Sequence, residues 1–182
     1  MGNKYIICDL DGCLIDTSWI WRVADKLGLK APQNYEFFDR NANASFNKVD
    51  LPLYKYLCFK ASGGLKIHFL TARSEKIEVE TINFIQQKTG LILGEHFTAS
   101  FRPLDDCSAS TESKRRRLEN MLDNNKEVVL AIDDSESIIN MYKEHNIKAV
   151  KWINGFIPFE VAKEFGSQFN NLITEKEELC QN

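Results

Sequence analysis

No apolar run in these 182 residues approaches the ~20 residues that cross a bilayer, so no membrane-spanning helix is expected. No charged n-region followed by a long apolar core opens the chain. Cysteine is sparse and irregularly placed. Cys8, Cys13, Cys58, Cys107 and Cys180 contain no CxxC pair, and their odd number leaves no complete disulfide framework. A zinc ribbon is thereby excluded, and a reducing, cytoplasmic setting is the expectation. Charge of one sign is also lacking. A net charge of −3 supplies no global attraction to nucleic acid, although a local basic face stays open. There is no internal repeat and no low-complexity tract.

What is present is an ordinary globular composition, 43% hydrophobic and 27% charged, long enough for one domain with a real core. Strand-like runs alternate with helix-like periods. Lys4–Cys8, Leu65–Leu70, Glu127–Ile132 and Ile147–Trp152 read as strands, with a further short one around Phe97–Phe101. Asp50–Ala61, Glu75–Thr89, Thr111–Asp123 and Ser135–His145 read as helices; Pro52 belongs in a first turn and Gly90 at a C-terminal cap. This alternation predicts an α/β, Rossmann-like parallel sheet with helices on both faces. Residues 13–60 fit it less well. Trp19–Leu27 carries a helical apolar face, whereas Asn34–Asn47 is polar and aromatic without a period. The stretch reads as an insertion after the first strand, either a small cap or lid or an ordinary surface excursion. The charged tail from Glu175 is expected to fray.

Four strings spread over about 125 residues carry the chemistry: Asp9-Leu10-Asp11-Gly12, Thr71-Ala72-Arg73, Lys114 and Asp133-Asp134. Asp9, Thr71 and Asp133 follow or end predicted strands, where ligands bind in open parallel sheets. Asp9 and Asp11 straddle Leu10, so a period of two puts both carboxylates on one side of the chain. Asp9 suits a nucleophile that attacks phosphorus, and Asp11 a general acid and base. Gly12 permits a sharp turn beside a phosphate. A calcium loop or plain turn would use the same Asp-x-Asp-Gly.

Thr71 suits a phosphoryl oxygen or a helix N-cap. Arg73 suits phosphate or solvent. Lys114 opens Lys114-Arg115-Arg116-Arg117, which sweeps round a helix, so one or two of the four point into a site and the others form a solvated face or track a nucleic-acid backbone. Asp133-Asp134 offers hard oxygens for Mg²⁺, or an N-cap pair. His68 and His145 read as core or boundary residues, and His96 has no motif context. Trp19, Trp21, Phe37 and Phe38 read as core or lid packing, with base stacking as the alternative.

Taken together and in this order, the strings resemble the four motifs of the haloacid dehalogenase superfamily of phosphotransferases, over nearly the whole chain. Asp11 is the residue that resembles the phosphatase branch. The resemblance implies a Rossmann-like fold and Mg²⁺ held by Asp9, the backbone carbonyl of Asp11, and Asp133-Asp134. Cys13 departs from the Thr or Ser usual there. The second half also resembles the 3′-phosphatase domain of phage-type polynucleotide kinases. Leu130-Ala131-Ile132-Asp133-Asp134, Arg73, Arg102, and the 19-residue step from Lys114 to Asp133 carry that likeness. No GxxxxGK[ST] string occurs, so these residues hold no P-loop kinase.

The resemblance implies an Mg²⁺-dependent phosphomonoesterase acting through an aspartyl-phosphate on polynucleotide 3′ ends, DNA or RNA. Asp9, Asp11 and Lys114 are its expected catalytic residues; Gly12, Thr71, Ala72, Arg73 and Arg102 are its expected phosphate-binding ones. A nucleotide or small-molecule phosphatase is the alternative. A non-catalytic nucleic-acid-binding module with the same fold is the alternative of another class. No membrane partner is expected, and no protein partner is assigned.

Overall fold

Tyr5–Cys8 is apolar at every position because its strand is covered on both faces. The structure is a computed structural model and describes residues 4–165; the tail from Glu175 and Cys180 lie outside the described residues. Strand β1 (Lys4–Cys8) sits at the centre of a five-stranded, all-parallel sheet. Its neighbours are β2 (Lys66–Ser74) and β4 (Glu127–Asp133), with β3 (Phe97–Arg102) and β5 (Ala149–Lys151) at the edges, in the order β3-β2-β1-β4-β5.

Alternate residues feed opposite cores. Ile6 and Cys8 join Phe69, Ile132 and Trp152 in one, beneath α3 (Leu51–Ser62) and α4 (Glu78–Thr89). Tyr5 and Ile7 join Leu70 and Ala131 in the other, beneath α5 (Ser110–Asp123) and α6 (Glu136–Glu144). Helices therefore cover both faces, as the alternation predicts. The chain leaves β1 towards β3, then returns to lay β4 on β1's other side. That reversal opens a crevice at the carboxyl ends of β1 and β4.

Two elements differ from the sequence reading. Strand β2 does not stop at Leu70 but runs on to Ser74. Its register slips there, since Leu70 pairs with Ser100 and Ser74 with Arg102. Thr71 and Arg73 are buried in this irregular stretch and held by side-chain hydrogen bonds rather than by apolar pattern. The segment expected to be aperiodic contains helix α2 (Gln33–Asn41). It buries only Phe38, which is too little to impose a period on the sequence.

Helices α1 (Ser18–Lys26) and α2 share a small cluster of Ile20, Phe38, Ala42 and Ile77, with Trp19 and Phe37 against it. Trp21 stacks on Phe38 with ring centroids 4.9 Å apart. Helix α3, by contrast, buries Leu53, Tyr56 and Leu57 in the main core. Asp50 caps it by accepting from the Leu53 N–H, and Pro52 lies in its first turn. Gly90 closes α4 at φ +72°, the left-handed cap its position predicts. A short 3-10 turn (Glu75–Ile77) precedes α4, and α7 (Phe159–Phe165) follows β5. Among the described residues no helix is long and apolar enough to cross a membrane.

His68 lies inside β2, its ring nitrogens 2.8 Å from the Thr98 hydroxyl and 3.0 Å from that of Ser100. Burial lowers its pKa to about 4. The unfolded chain therefore takes up a proton that the folded state refuses. Stability is lost as pH falls from about 6.5 towards 4, by roughly 2–3 kcal/mol at pH ~4.5. His68→Gln removes this titration, and urea unfolding of both proteins at neutral and acid pH measures it.

Candidate active site

Three strand and helix ends converge on one buried ammonium. Asp9 directly follows β1, and its N–H donates to the Ile132 carbonyl at 2.9 Å, which ties it to β4. Asp133 is the last residue of β4. Lys114 reaches in from α5 and donates to Asp9 Oδ1 at 2.8 Å and Asp133 Oδ2 at 2.7 Å. Their relative exposures are 6% for Asp9, 1% for Lys114 and 0% for Asp133, so water screens none of these charges. Burial works against the ammonium, but Asp9 and Asp133 outweigh it and hold Lys114 well above the ordinary lysine range. Burial also pushes the Asp9 carboxyl up to about 8; Lys114 pulls it down, and Asp133 and Asp11 add to the rise. A cation placed here would be strongly favoured by the carboxylates.

Asp134 completes the acidic side. It faces Gly12, which adopts φ +81°; a Cβ at Gly12 would run into Asp134 Oδ2. Only glycine allows the first loop to lie against that carboxylate. Asp9, Cys13 and Asp134 each place a ligand atom within 4.8 Å of the others. The two carboxylates are hard donors that fit Mg²⁺. The Cys13 thiol is soft and fully buried in the main core, with the Trp152 carbonyl 4.0 Å away; burial pushes its pKa up. It contributes packing rather than a magnesium ligand. Burial, then Asp133, raises the Asp134 carboxyl as well.

The metal set expected from the sequence is thus divided. Asp133 spends one oxygen on Lys114 and the other on the Ser135 N–H at 3.0 Å. The Asp11 side chain turns elsewhere. Asp9 and Asp134 are the two carboxylates whose oxygens lie close enough together to share a metal. Gly12→Ala is expected to displace Asp134 and to raise the Mg²⁺ concentration for half-maximal activity by about tenfold, read from a Mg²⁺ titration of phosphate release.

Asp11 is gripped by Arg73. Arg73 Nε donates to Oδ2 at 2.9 Å and Nη2 to Oδ1 at 2.8 Å, and Thr17 Oγ1 adds a hydrogen bond to Oδ1 at 3.0 Å. The remaining guanidinium donors go to Asn43 Oδ1, Thr81 Oγ1 and the Ala42 carbonyl. All five N–H groups of the fork are engaged. This corrects the reading of Arg73 as a phosphate ligand or a solvated surface arginine: its side chain is fully buried and faces Asp11 and the α2 segment.

Thr71 Oγ1 accepts the Arg73 N–H at 3.1 Å, which leaves its own proton to donate. It caps no helix, because Ser74 caps the turn that follows. Ala72 is exposed at the end of the strand.

No family model and no curated protein matches this sequence. Solved structures do match it. A chain of the Pnkp1/Rnl/Hen1 RNA repair complex superposes with TM-score 0.65 at 18% identity over 85% of this protein and 44% of that chain. The protein therefore spans less than half of that longer relative. A class C acid phosphatase from Bacillus anthracis with tungstate bound gives TM-score 0.57 at 17% identity, covering 86% and 69% of the two chains. A haloacid dehalogenase-like hydrolase from Streptococcus pneumoniae gives 0.54 at 13%, covering 85% and 87%. The fold is the haloacid dehalogenase-like fold.

On this haloacid dehalogenase-like scaffold the basic run of α5 is largely neutralised. Arg115 pairs with Glu144 at 2.7 Å and Arg116 with Asp106 at 2.8 Å. Arg117 donates to the Thr71 and Ser100 carbonyls, both at 2.8 Å, and braces β2 against β3. Burial, then nearby Arg102, lowers its pKa to about 10. The run does not present a charged track. Arg102, at the end of β3, gives one hydrogen bond to Ser110 Oγ at 3.1 Å, and its buried Nε has no protein partner. It retains donors for an anion. His145 Nδ1 donates to the Met141 carbonyl at 2.8 Å, and His96 is exposed. Sequence reasoning missed Thr17, Asn43 and Thr81, none of which belongs to a short motif; Arg117 was named only as a member of the basic run, and its role comes from carbonyls distant in the chain.

Proposed function

We propose that this protein is an Mg²⁺-dependent phosphomonoesterase acting through an aspartyl-phosphate on Asp9, with polynucleotide 3′-phosphates as substrate. The observation that carries the reading is the Lys114 ammonium clamped between Asp9 and Asp133, with Asp134 beside them. Asp9 and Asp134, with the Asp11 backbone carbonyl, would hold the metal, which neutralises the phosphoryl oxygens when bound.

Asp9 attacks phosphorus, and the ester P–O bond breaks. Asp11 gives its proton to the departing alkoxide. Asp11 then takes a proton from water, whose oxygen attacks the phosphorus and releases Asp9 and inorganic phosphate. Lys114 holds Asp9 in line and offsets charge on the reacting group. Thr71 donates to a phosphoryl oxygen.

Arg102 supports a polymer substrate, since it keeps spare donors at the carboxyl end of β3, on the same edge of the sheet as Asp9 and Asp133. Trp21, Tyr35 and Phe46 are exposed on the α1–α2 segment, which we read as a small cap offering faces for bases. The structural likeness to a chain of an RNA repair complex points the same way. The free cysteines among the described residues suit a cytoplasmic setting.

The test is phosphate release in Mg²⁺ from 3′-phosphorylated DNA and RNA oligonucleotides, mononucleotides and sugar phosphates. Oligonucleotides are expected to be preferred. Turnover of mononucleotides alone would shift the reading to a nucleotide phosphatase. Binding of oligonucleotides without turnover would make the protein a binding module.

A further inference from the structure

The Arg73 side chain has no solvent exposure, and its partners come from three separate parts of the chain. Asp11 belongs to the first loop. Ala42 and Asn43 follow α2, and Thr81 lies on α4. Asn43 Oδ1 accepts from Arg73 Nη1 at 2.7 Å, while Asn43 Nδ2 donates to Thr81 Oγ1 at 3.2 Å. Thr81 Oγ1 also accepts from Arg73 Nη1 at 3.2 Å, which closes a three-membered ring of hydrogen bonds. A guanidinium is a rigid plane. Once Asn43, Thr81 and the Ala42 carbonyl fix two of its edges, the third edge, which carries Nε and Nη2, is fixed too. That edge sets both oxygens of Asp11.

We propose that Asn43 is a positioning residue. Through Arg73 it fixes where the Asp11 carboxyl gives and takes its proton, so the α1–α2 segment is part of the acid/base machinery as well as a cover. The inference rests on Asp9 and Asp11 acting as nucleophile and acid/base. It assigns the segment a task that its surface position alone does not suggest. Asn43 touches no reacting atom, and it acts only through the Arg73 plane. A buried arginine needs acceptors for purely structural reasons as well. Such a role would cost stability and slow every substrate alike.

Leaving-group dependence separates the two roles. Benzyl phosphate and p-nitrophenyl phosphate are similar in size, and Asp9 attacks both. The benzyl alkoxide leaves only with a proton, whereas the nitrophenolate leaves without one. kcat/KM reports the steps through phosphoenzyme formation, so a disturbed Asp11 lowers the benzyl value more. Asn43→Ala is expected to lower the benzyl-to-nitrophenyl ratio of kcat/KM by about tenfold, and Arg73→Lys by more. Thermal melting of each variant follows folding. If Asn43→Ala does not fold, Asn43→Ser, which keeps a shorter acceptor, takes its place with the same expected direction.

Equal losses on both substrates, no loss, or a gain overturns the inference. Wild-type protein that turns over neither ester, nor a 3′-phosphorylated oligonucleotide in the same assay, overturns the phosphatase reading itself. Wild-type turnover with an unchanged ratio in the variants overturns only the role of Asn43.

Discussion

Asp9→Asn is expected to lower phosphate release by at least about a thousandfold while leaving the protein folded. The carboxamide keeps the shape of the carboxylate and can still accept a hydrogen bond from Lys114, so the clamp on Asp133 survives. It cannot form the acyl phosphate, which removes the step that divides one difficult displacement into two. The stability outcome is equally specific. Burial raises the Asp9 carboxyl to about 8, so the folded state gains little from its negative charge. A neutral isostere should therefore hold or raise the melting temperature, even as activity disappears. Turnover of a 3′-phosphorylated oligonucleotide, a melting curve and acid-quench trapping of labelled phosphoenzyme measure the three consequences together. Full activity in this variant would place the nucleophile elsewhere.

Lys114→Met carries the second large effect, and here activity and stability fall together. Methionine fills similar volume, so the main loss is charge. With Lys114 present, one cation serves two buried carboxylates. Without it, Asp9 and Asp133 meet at adjacent strand ends with no counter-charge, a situation that costs about 3–5 kcal/mol when a buried pair loses one partner. A fall of roughly 10 °C in melting temperature follows for a chain of this size. Phosphate release should drop by at least about a hundredfold, because the ammonium that orients Asp9 and offsets phosphoryl charge is gone. The loss of stability should be greater at high pH, where both carboxylates are ionised, and smaller where one can take a proton. The double variant Lys114→Met with Asp133→Asn removes one of the stranded charges. It should recover much of the stability and none of the activity, a coupling that separates the structural from the chemical role of the lysine.

These two residues also mark how far local sequence reaches. Asp9 and Asp133 were legible because each ends an apolar run whose length and period identify a buried strand, and strand ends in parallel sheets gather at one edge. Lys114 was legible only as the head of a basic run early in a helix and through its place in the order of the motifs. The pairing of Arg73 with Asp11 was not. Arg73 reads as a phosphate fork next to Thr71, yet its donors are taken by Asp11, Asn43, Thr81 and a carbonyl. Which anion a buried guanidinium meets depends on chain segments 30 to 62 residues away.

The bulged end of β2 and helix α2 escaped for a related reason. Their conformations are held by polar contacts and by one buried phenylalanine, and neither leaves a period. The sequence left the basic run of α5 open between a solvated face and a nucleic-acid track, because Glu144 and Asp106, which pair with it, come from other parts of the chain. By itself, then, the sequence determined the alternation of strands and helices, both covered faces of the sheet, and three of the four strings at its carboxyl edge. Those features follow from hydrophobic period and chain direction, which are local. The tertiary structure alone decided that Lys114 bridges Asp9 and Asp133, that Asp134 lies against Gly12, and that Arg73 grips Asp11 rather than facing phosphate. Such choices are made by charges and hydrogen bonds between residues that only folding brings within reach.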